Sequence, residues 1–474
     1  ATAKKVKDLK LDGVQALSEP KRFLPAGDLA TNVLGTVGLD NQGLSGLELQ
    51  YGKLLAGRPG QLLVERDPAG RDIPGGVRRY VPSVRGSDLV LTIDRSLQYE
   101  AEKSLAAEII TSKAKGGMAV TMDSRTGEIL AMVNLVAGEH EGDAPRPAAN
   151  NEVVTLPYEP GSVNKLITIS AALEEKAVKP SDKLMVPTSV RIGPATFSEH
   201  DPHPTQEWSI TDIVANSSNV GSIMIANKLG RDNLDRYLRA FGFGKRTALE
   251  FPGETAGILK PANQWYSTDM GSIPIGQGVA VSPLQMIAAY NTVANGGVYV
   301  APKLVKAVID GKGVERATAP SASRRVVSAA TAREMTAMLN EVVRKGTGKM
   351  AAINGYTVAG KTGTARKPLE GAVGYKPGAY MSSFAGFVPS ERPAFTTLVI
   401  LDEPIPIYGG LVAAPVFAAV SRYALREFRV PPPPPAAPTA APALSASAAK
   451  PVGEIDAAVD TTTTLGPSST PPKP

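Results

Sequence analysis

The chain has 474 residues, enough for two or three domains, with 43% hydrophobic and 20% charged residues, the balance of a globular protein with a real core. Its 51 basic and 45 acidic residues leave a net charge of +6 but no dense basic stripe interleaved with aromatics, so nucleic acid is not an indicated partner. The absence of cysteine removes disulfides, thiolate zinc sites and a cysteine nucleophile together, and no apolar run of about 18 residues marks a membrane span.

Residues 1–85 are rich in glycine and turn signals, such as Leu24-Pro25-Ala26-Gly27-Asp28 and Asp67-Pro68-Ala69-Gly70, with one helix-like stretch at Ser45–Leu55. They read as a small turn-rich module. Residues 86–430 have the texture of a large mixed domain. Leu89–Ile93 is a short strand, and Asp94 or Ser96 can cap a helix running to Ile110. Met118–Asp123 and Glu128–Val133 flank Ser124-Arg125-Thr126-Gly127, a hairpin signal. Phe384–Val388 and Phe395–Leu401 form a second such pair.

Helical stretches fall at Lys165–Glu175, Ile210–Lys228, Asn233–Phe241 and Ala330–Val343. Hairpins imply antiparallel pairing, and strands and helices out of strict alternation predict an α+β fold. From residue 431, five prolines open a tail of Pro, Ala, Ser and Thr, expected to be disordered because it can bury too little apolar surface.

The chemistry begins with Ser-x-x-Lys, a weak pattern that occurs four times, at Ser18, Ser112, Ser162 and Ser447. Context favours Ser162-Val163-Asn164-Lys165, which follows the turn Glu159-Pro160-Gly161 and precedes an apolar helix. A serine there can be a mere helix cap. At i and i+3, however, the Lys165 amine shares a helix face with the Ser162 hydroxyl, and a neutral lysine can activate it. Burial and a second nearby cation would both push Lys165 toward neutrality.

A second element is Ser217-Ser218-Asn219, either a plain turn or a site where Ser217 relays a proton and Asn219 holds a substrate backbone. The third is Lys361-Thr362-Gly363-Thr364 on a strand whose glycines admit another backbone, so that a peptide could add as an extra strand. Lys361, Thr362 and Thr364 suit a substrate carboxylate. Each element alone is common; the three in order, 55 and 144 residues apart, are specific.

Together they resemble the three signature motifs of the serine penicillin-recognising enzymes. The surrounding Tyr158–Ser162, Ser217–Gly221 and Gly409–Phe417 segments, with Leu34–Glu48 and Leu91–Asp94, resemble class B penicillin-binding proteins of the FtsI-like kind over about residues 24–425.

The resemblance implies a penicillin-binding transpeptidase fold at 86–430, a five-stranded antiparallel sheet between helices. Residues 1–85 would be the end of a pedestal or dimerisation domain that normally leads to a membrane helix lying outside this sequence. It implies that Lys165 activates Ser162 to attack a D-Ala-D-Ala stem peptide, with Ser217 as proton relay and Asn219, Lys361, Thr362, Gly363 and Thr364 holding the substrate. The amides of Ser162 and Thr364 would form the oxyanion hole, and an amine from a second stem peptide would complete the cross-link.

It further implies acylation by β-lactams, a cell-membrane, extracytoplasmic location, a SEDS-type glycosyltransferase and divisome proteins as partners, and no metal or other cofactor. Septal wall synthesis is the expected role, with an elongation enzyme as the alternative. A β-lactamase is disfavoured by Ser-Ser-Asn in the second motif and the lack of Glu-x-x-Leu-Asn. The implied pedestal disfavours a D,D-carboxypeptidase. A Ser-His-Asp hydrolase lacks its Gly-x-Ser-x-Gly elbow, and His200-Asp201-Pro202-His203 reads as an exposed loop rather than a metal site. A silent β-lactam sensor is disfavoured because all three motifs are intact.

Overall fold

The Asp94 carboxylate accepts a hydrogen bond from Leu97 N (2.8 Å) and so opens the first long helix, α1 (Arg95–Thr111), leaving Ser96 outside the cap. In the computed structural model, residues 2–433 are described, except 10, 12, 15–22, 141, 370 and 373. The Ser18 and Ser447 patterns and the tail beyond residue 433 lie outside the described residues. Residues up to Pro433 pack as one unit.

After α1 come the paired strands β1 (Gly116–Asp123) and β2 (Ile129–Val136), then a two-residue strand β3 (Arg146–Pro147). Helix α2 (Lys165–Glu174) follows. The single helix expected over residues 210–228 is two, α3 (Ile210–Ala215) and α4 (Asn219–Leu229), broken at Ser217. Then come α5 (Arg231–Ala240), α6 (Pro283–Ala294) and α7 (Ala329–Arg344). Strands β4 (Ala359–Pro368), β5 (Tyr375–Val388) and β6 (Phe395–Asp402) lead into the last helix, α8 (Gly409–Glu427).

The strands form one antiparallel sheet in the order β4-β5-β6-β1-β2-β3, so the expected five strands gain a short sixth at one edge while β4 forms the other. β1, β2 and β6 are buried along nearly their whole length because helices cover both faces. Side-chain alternation still sorts them. Met118, Val120 and Met122 enter the core shared with α2, α4 and α6, whereas Ala119 and Val399 enter the one shared with α1 and α8.

Sheet edge β4 is where the Gly161–Asn164 turn that leads into α2 meets the sheet. Gly363 makes that approach possible: a Cβ there would lie 2.4 Å from Ser383 Oγ and 3.2 Å from Val163 Cγ1. Two small hairpins, Lys183–Val186 with Gln206–Ser209 and Ser189–Ile192 with Ala195–Ser198, stand beside α3 and α4. Among the described residues no helix is long and apolar enough to cross a membrane.

Candidate active site

Ser162 sits in a single 3₁₀ turn, Gly161–Asn164, that runs straight into α2. Neither start has a side-chain cap, so the Ser162 hydroxyl is not used as one. By contrast, Ser112 ends α1 by donating its hydroxyl to Glu108 O (2.7 Å).

The Ser162 turn is held from several sides. Gly161 N donates to Gly276 O (3.0 Å), Tyr290 Oη to Val163 O (3.0 Å) and Asn164 Nδ2 to Ile273 O (2.8 Å). The Glu159 carboxylate accepts from Gly278 N (2.8 Å) and from Tyr375 Oη of β5 (2.9 Å).

Lys165 is fully buried, and its Nζ donates to Ser217 O (2.6 Å) and Asn219 Oδ1 (2.7 Å), with Ser217 Oγ 3.4 Å away. Burial pulls its pKa down to about 7, against a weaker upward pull from Glu199. A neutral amine has two N–H bonds and one lone pair. The two close acceptors take the N–H bonds and leave the lone pair for a hydroxyl proton.

The break between α3 and α4 builds the second motif. Ser217 adopts φ 59°, a left-handed conformation uncommon outside glycine, and Ser218 caps α4 by accepting from Gly221 N (2.8 Å). The Glu199 carboxylate fastens this corner. It accepts from Asn219 N (2.8 Å), Val220 N (3.1 Å) and the Ser218 hydroxyl. Glu199 follows the Ala195–Ser198 strand and carries no local sequence pattern that could have marked it.

Lys361 lies beneath the strand edge. It is buried, and its Nζ donates to Thr362 O (3.1 Å). Burial first, and the charge of Lys165 second, hold its pKa well below the usual lysine range. Lys361 is thus the second amine coupled to Lys165, but the lowering of Lys165 itself comes from burial and not from a second cation.

These parts meet at a cleft of about 370 Å³. Six of the eight expected residues line it: Ser162, Ser217, Asn219, Thr362, Gly363 and Thr364. Lys165 and Lys361 lie behind its surface. The far wall is the start of α8, where Gly409 packs so closely that a Cβ would fall 2.2 Å from Ser383 O. His200, Asp201 and Tyr408 also line the cleft; the first two were expected merely on an exposed loop. Among the described residues no three His, Cys, Asp or Glu side chains are placed to share a metal ion.

Residues 117–422 match the family model of the penicillin binding protein transpeptidase domain, and residues 1–91 that of the penicillin-binding protein dimerisation domain. The chain is 37% identical over 423 residues to penicillin-binding protein PbpB of Mycolicibacterium smegmatis, covering 86% of this chain and 65% of the relative. It is 31% identical over 436 residues to the peptidoglycan D,D-transpeptidase FtsI of Escherichia coli K12, covering 90% and 71%.

Penicillin binding protein 3 of Mycobacterium tuberculosis, solved in complex with ampicillin, superposes with a TM-score of 0.78 at 34% identity, covering 88% of this chain and 92% of that one. The chain spans just under two thirds of the length of the two mycobacterial PbpB relatives, 65% and 64%.

Proposed function

Because the chain belongs to the class B penicillin-binding proteins, we propose that it is a peptidoglycan D,D-transpeptidase that cross-links stem peptides through an acyl-Ser162 intermediate. One observation carries the reading. A buried lysine with a pKa of about 7 stands one helical turn from a serine that caps nothing, at a free strand edge. The domain reading that goes with it assigns residues 1–85 to the pedestal and 86–430 to the transpeptidase domain.

Neutral Lys165 takes the Ser162 proton, and the hydroxyl oxygen attacks the carbonyl of the penultimate D-Ala. The donor peptide lies along β4 as an added strand, its carboxylate at Thr362 and Thr364 and its backbone at Asn219. Lys361, behind the strand, supports the substrate residues of β4 by donating to Thr362 O. The amides of Ser162 and Thr364 receive the oxyanion. Ser217 Oγ, 3.4 Å from Lys165 Nζ, passes the proton to the departing D-Ala. An amine of a second stem peptide then attacks the ester. Peptidoglycan lies outside the cytoplasmic membrane, so the site works there.

The names of the relatives support septal synthesis, with a SEDS-type glycosyltransferase and divisome proteins as the partners to test. β-Lactams, which the ampicillin-bound neighbour accepts, would acylate the same serine. The test is covalent labelling by a fluorescent penicillin, expected for the wild type and absent in Ser162→Ala. It is joined to a cross-linking assay with a stem-peptide donor and an amine acceptor. Labelling that persists in Ser162→Ala would show that another residue is the nucleophile.

A further inference from the structure

The acylation step leaves two cleft side chains unused. His200 and Asp201 line the same space as Ser162, Ser217 and Thr364, and among the described residues lining it Asp201 alone carries a formal charge. Asp201 Oδ1 lies 3.0 Å from His200 Nδ1. An ionised carboxylate can only accept, so in the neutral ring Nδ1 carries the proton and Nε2 the lone pair. The imidazole also packs edge-on against Tyr408, 5.7 Å between centroids, from the opposite wall at the start of α8. Two contacts thus fix the ring. The side chains are 60% and 96% exposed, which places the pair at the open mouth of the cleft.

The two substrates differ in charge where they enter. The donor presents a carboxylate, which an acidic side chain repels. The acceptor presents a primary amine, an ammonium at neutral pH that cannot attack until it loses a proton. It also belongs to a second polymer strand, so its subsite has to face outward.

We propose that His200 and Asp201 form the subsite that receives the acceptor amine, an inference that rests on the transpeptidase reading. Asp201, with one oxygen turned to His200, offers the other to the ammonium. His200 Nε2 takes one proton and releases it to solvent. The amine nitrogen then bonds to the acyl carbon, the bond from that carbon to Ser162 Oγ breaks, and the second amine proton returns to Ser162 Oγ by way of Ser217 and Lys165.

The test uses the whole chain, a D-alanyl thioester as donor and D-alanine as amine acceptor, and reads the ratio of transfer product to hydrolysis product. Asp201→Asn and His200→Gln are each expected to lower that ratio at least about tenfold. Raising the D-alanine concentration should recover part of the loss in Asp201→Asn. An unchanged ratio would overturn the subsite, as would a fall in acylation by fluorescent penicillin as large as the fall in transfer. A wild-type enzyme that hydrolyses the thioester but transfers to no amine would overturn the transpeptidase reading itself, a result separable from a loss confined to the variants.

Discussion

The active cleft and the hairpin of Gln61–Val64 with Arg78–Val81 are both built on antiparallel strands, yet they are held by different forces. Around Ser162, backbone and side-chain hydrogen bonds converge from three separate stretches of chain onto one turn, and the strands behind it are buried on both faces. The hairpin is solvated on both faces, with Leu62, Leu63, Tyr80 and Val81 all exposed. Its ladder is its main support, and an isolated two-stranded ladder is marginal. Positional accuracy in the cleft comes from tertiary contacts that over-determine each residue. A change there should alter chemistry first, whereas a change in the hairpin should alter neither chemistry nor stability by much.

The largest effect should follow from removing the proposed base. Lys165→Met keeps the bulk and loses the amine, and acylation by a fluorescent penicillin should fall at least about a thousandfold. In the wild type the pH dependence has a definite sign. Burial lowers the folded pKa of Lys165 to about 7, so below that pH the amine is protonated and cannot accept the Ser162 proton. Acylation should rise with pH up to about 7 and level off above it, as stopped-flow labelling between about pH 5.5 and 8.5 would reveal. A flat profile would remove Lys165 as the base.

The contrast also explains what could be read from the sequence. The three motifs were legible because each packs its chemistry into three or four adjacent residues. The break at Ser217 was not, because apolar residues continue from Ile213 and Val214 to Val220 and Ile223 as if one helix ran through. What stops it is Glu199, a residue from another hairpin that takes the free amides of α4. Helix α6 escaped for the opposite reason. It is buried all round and has no polar stripe, although Ser282 and Gln285 form a capping box with Pro283 at the first turn. His200 and Asp201 were seen as an exposed loop, which they are; their place at the cleft depends on a fold that local pattern does not specify.

Closer packing gives the next prediction. Gly363→Ala drives a methyl toward Ser383 Oγ and Val163, so β4 has to move away from the Ser162 turn. Stability should drop by about 1–3 kcal/mol in denaturant unfolding, and acylation should slow further than that loss alone explains. Acylation at the wild-type rate would mean that the spacing between β4 and the Ser162 turn does not matter.

Glu199→Gln should produce two smaller effects of opposite kind. Its amide presents a donor to one of the N–H groups the carboxylate now accepts, so the Ser217 corner loosens and the plateau rate falls several-fold, on the order of one lost charged hydrogen bond. The lost negative charge also stops favouring protonated Lys165, so the acid limb of the pH profile should move to lower pH. A purely structural role for Glu199 would lower the plateau and leave the limb in place.

The smallest effect belongs to the hairpin. Leu62→Ser and Tyr80→Ser remove side chains that are 57% and 69% exposed and that bury little within this chain. Each should change unfolding free energy by no more than about 0.5 kcal/mol and leave penicillin labelling of Ser162 at the wild-type rate. A loss of labelling would mean that the hairpin is coupled to the cleft, and the division drawn between the two regions would fail. Unchanged labelling together with a failure of the variants to replace the wild type in cells would instead assign the exposed apolar face to something outside the chain. The hydrophobic surface would then be kept for association rather than for folding.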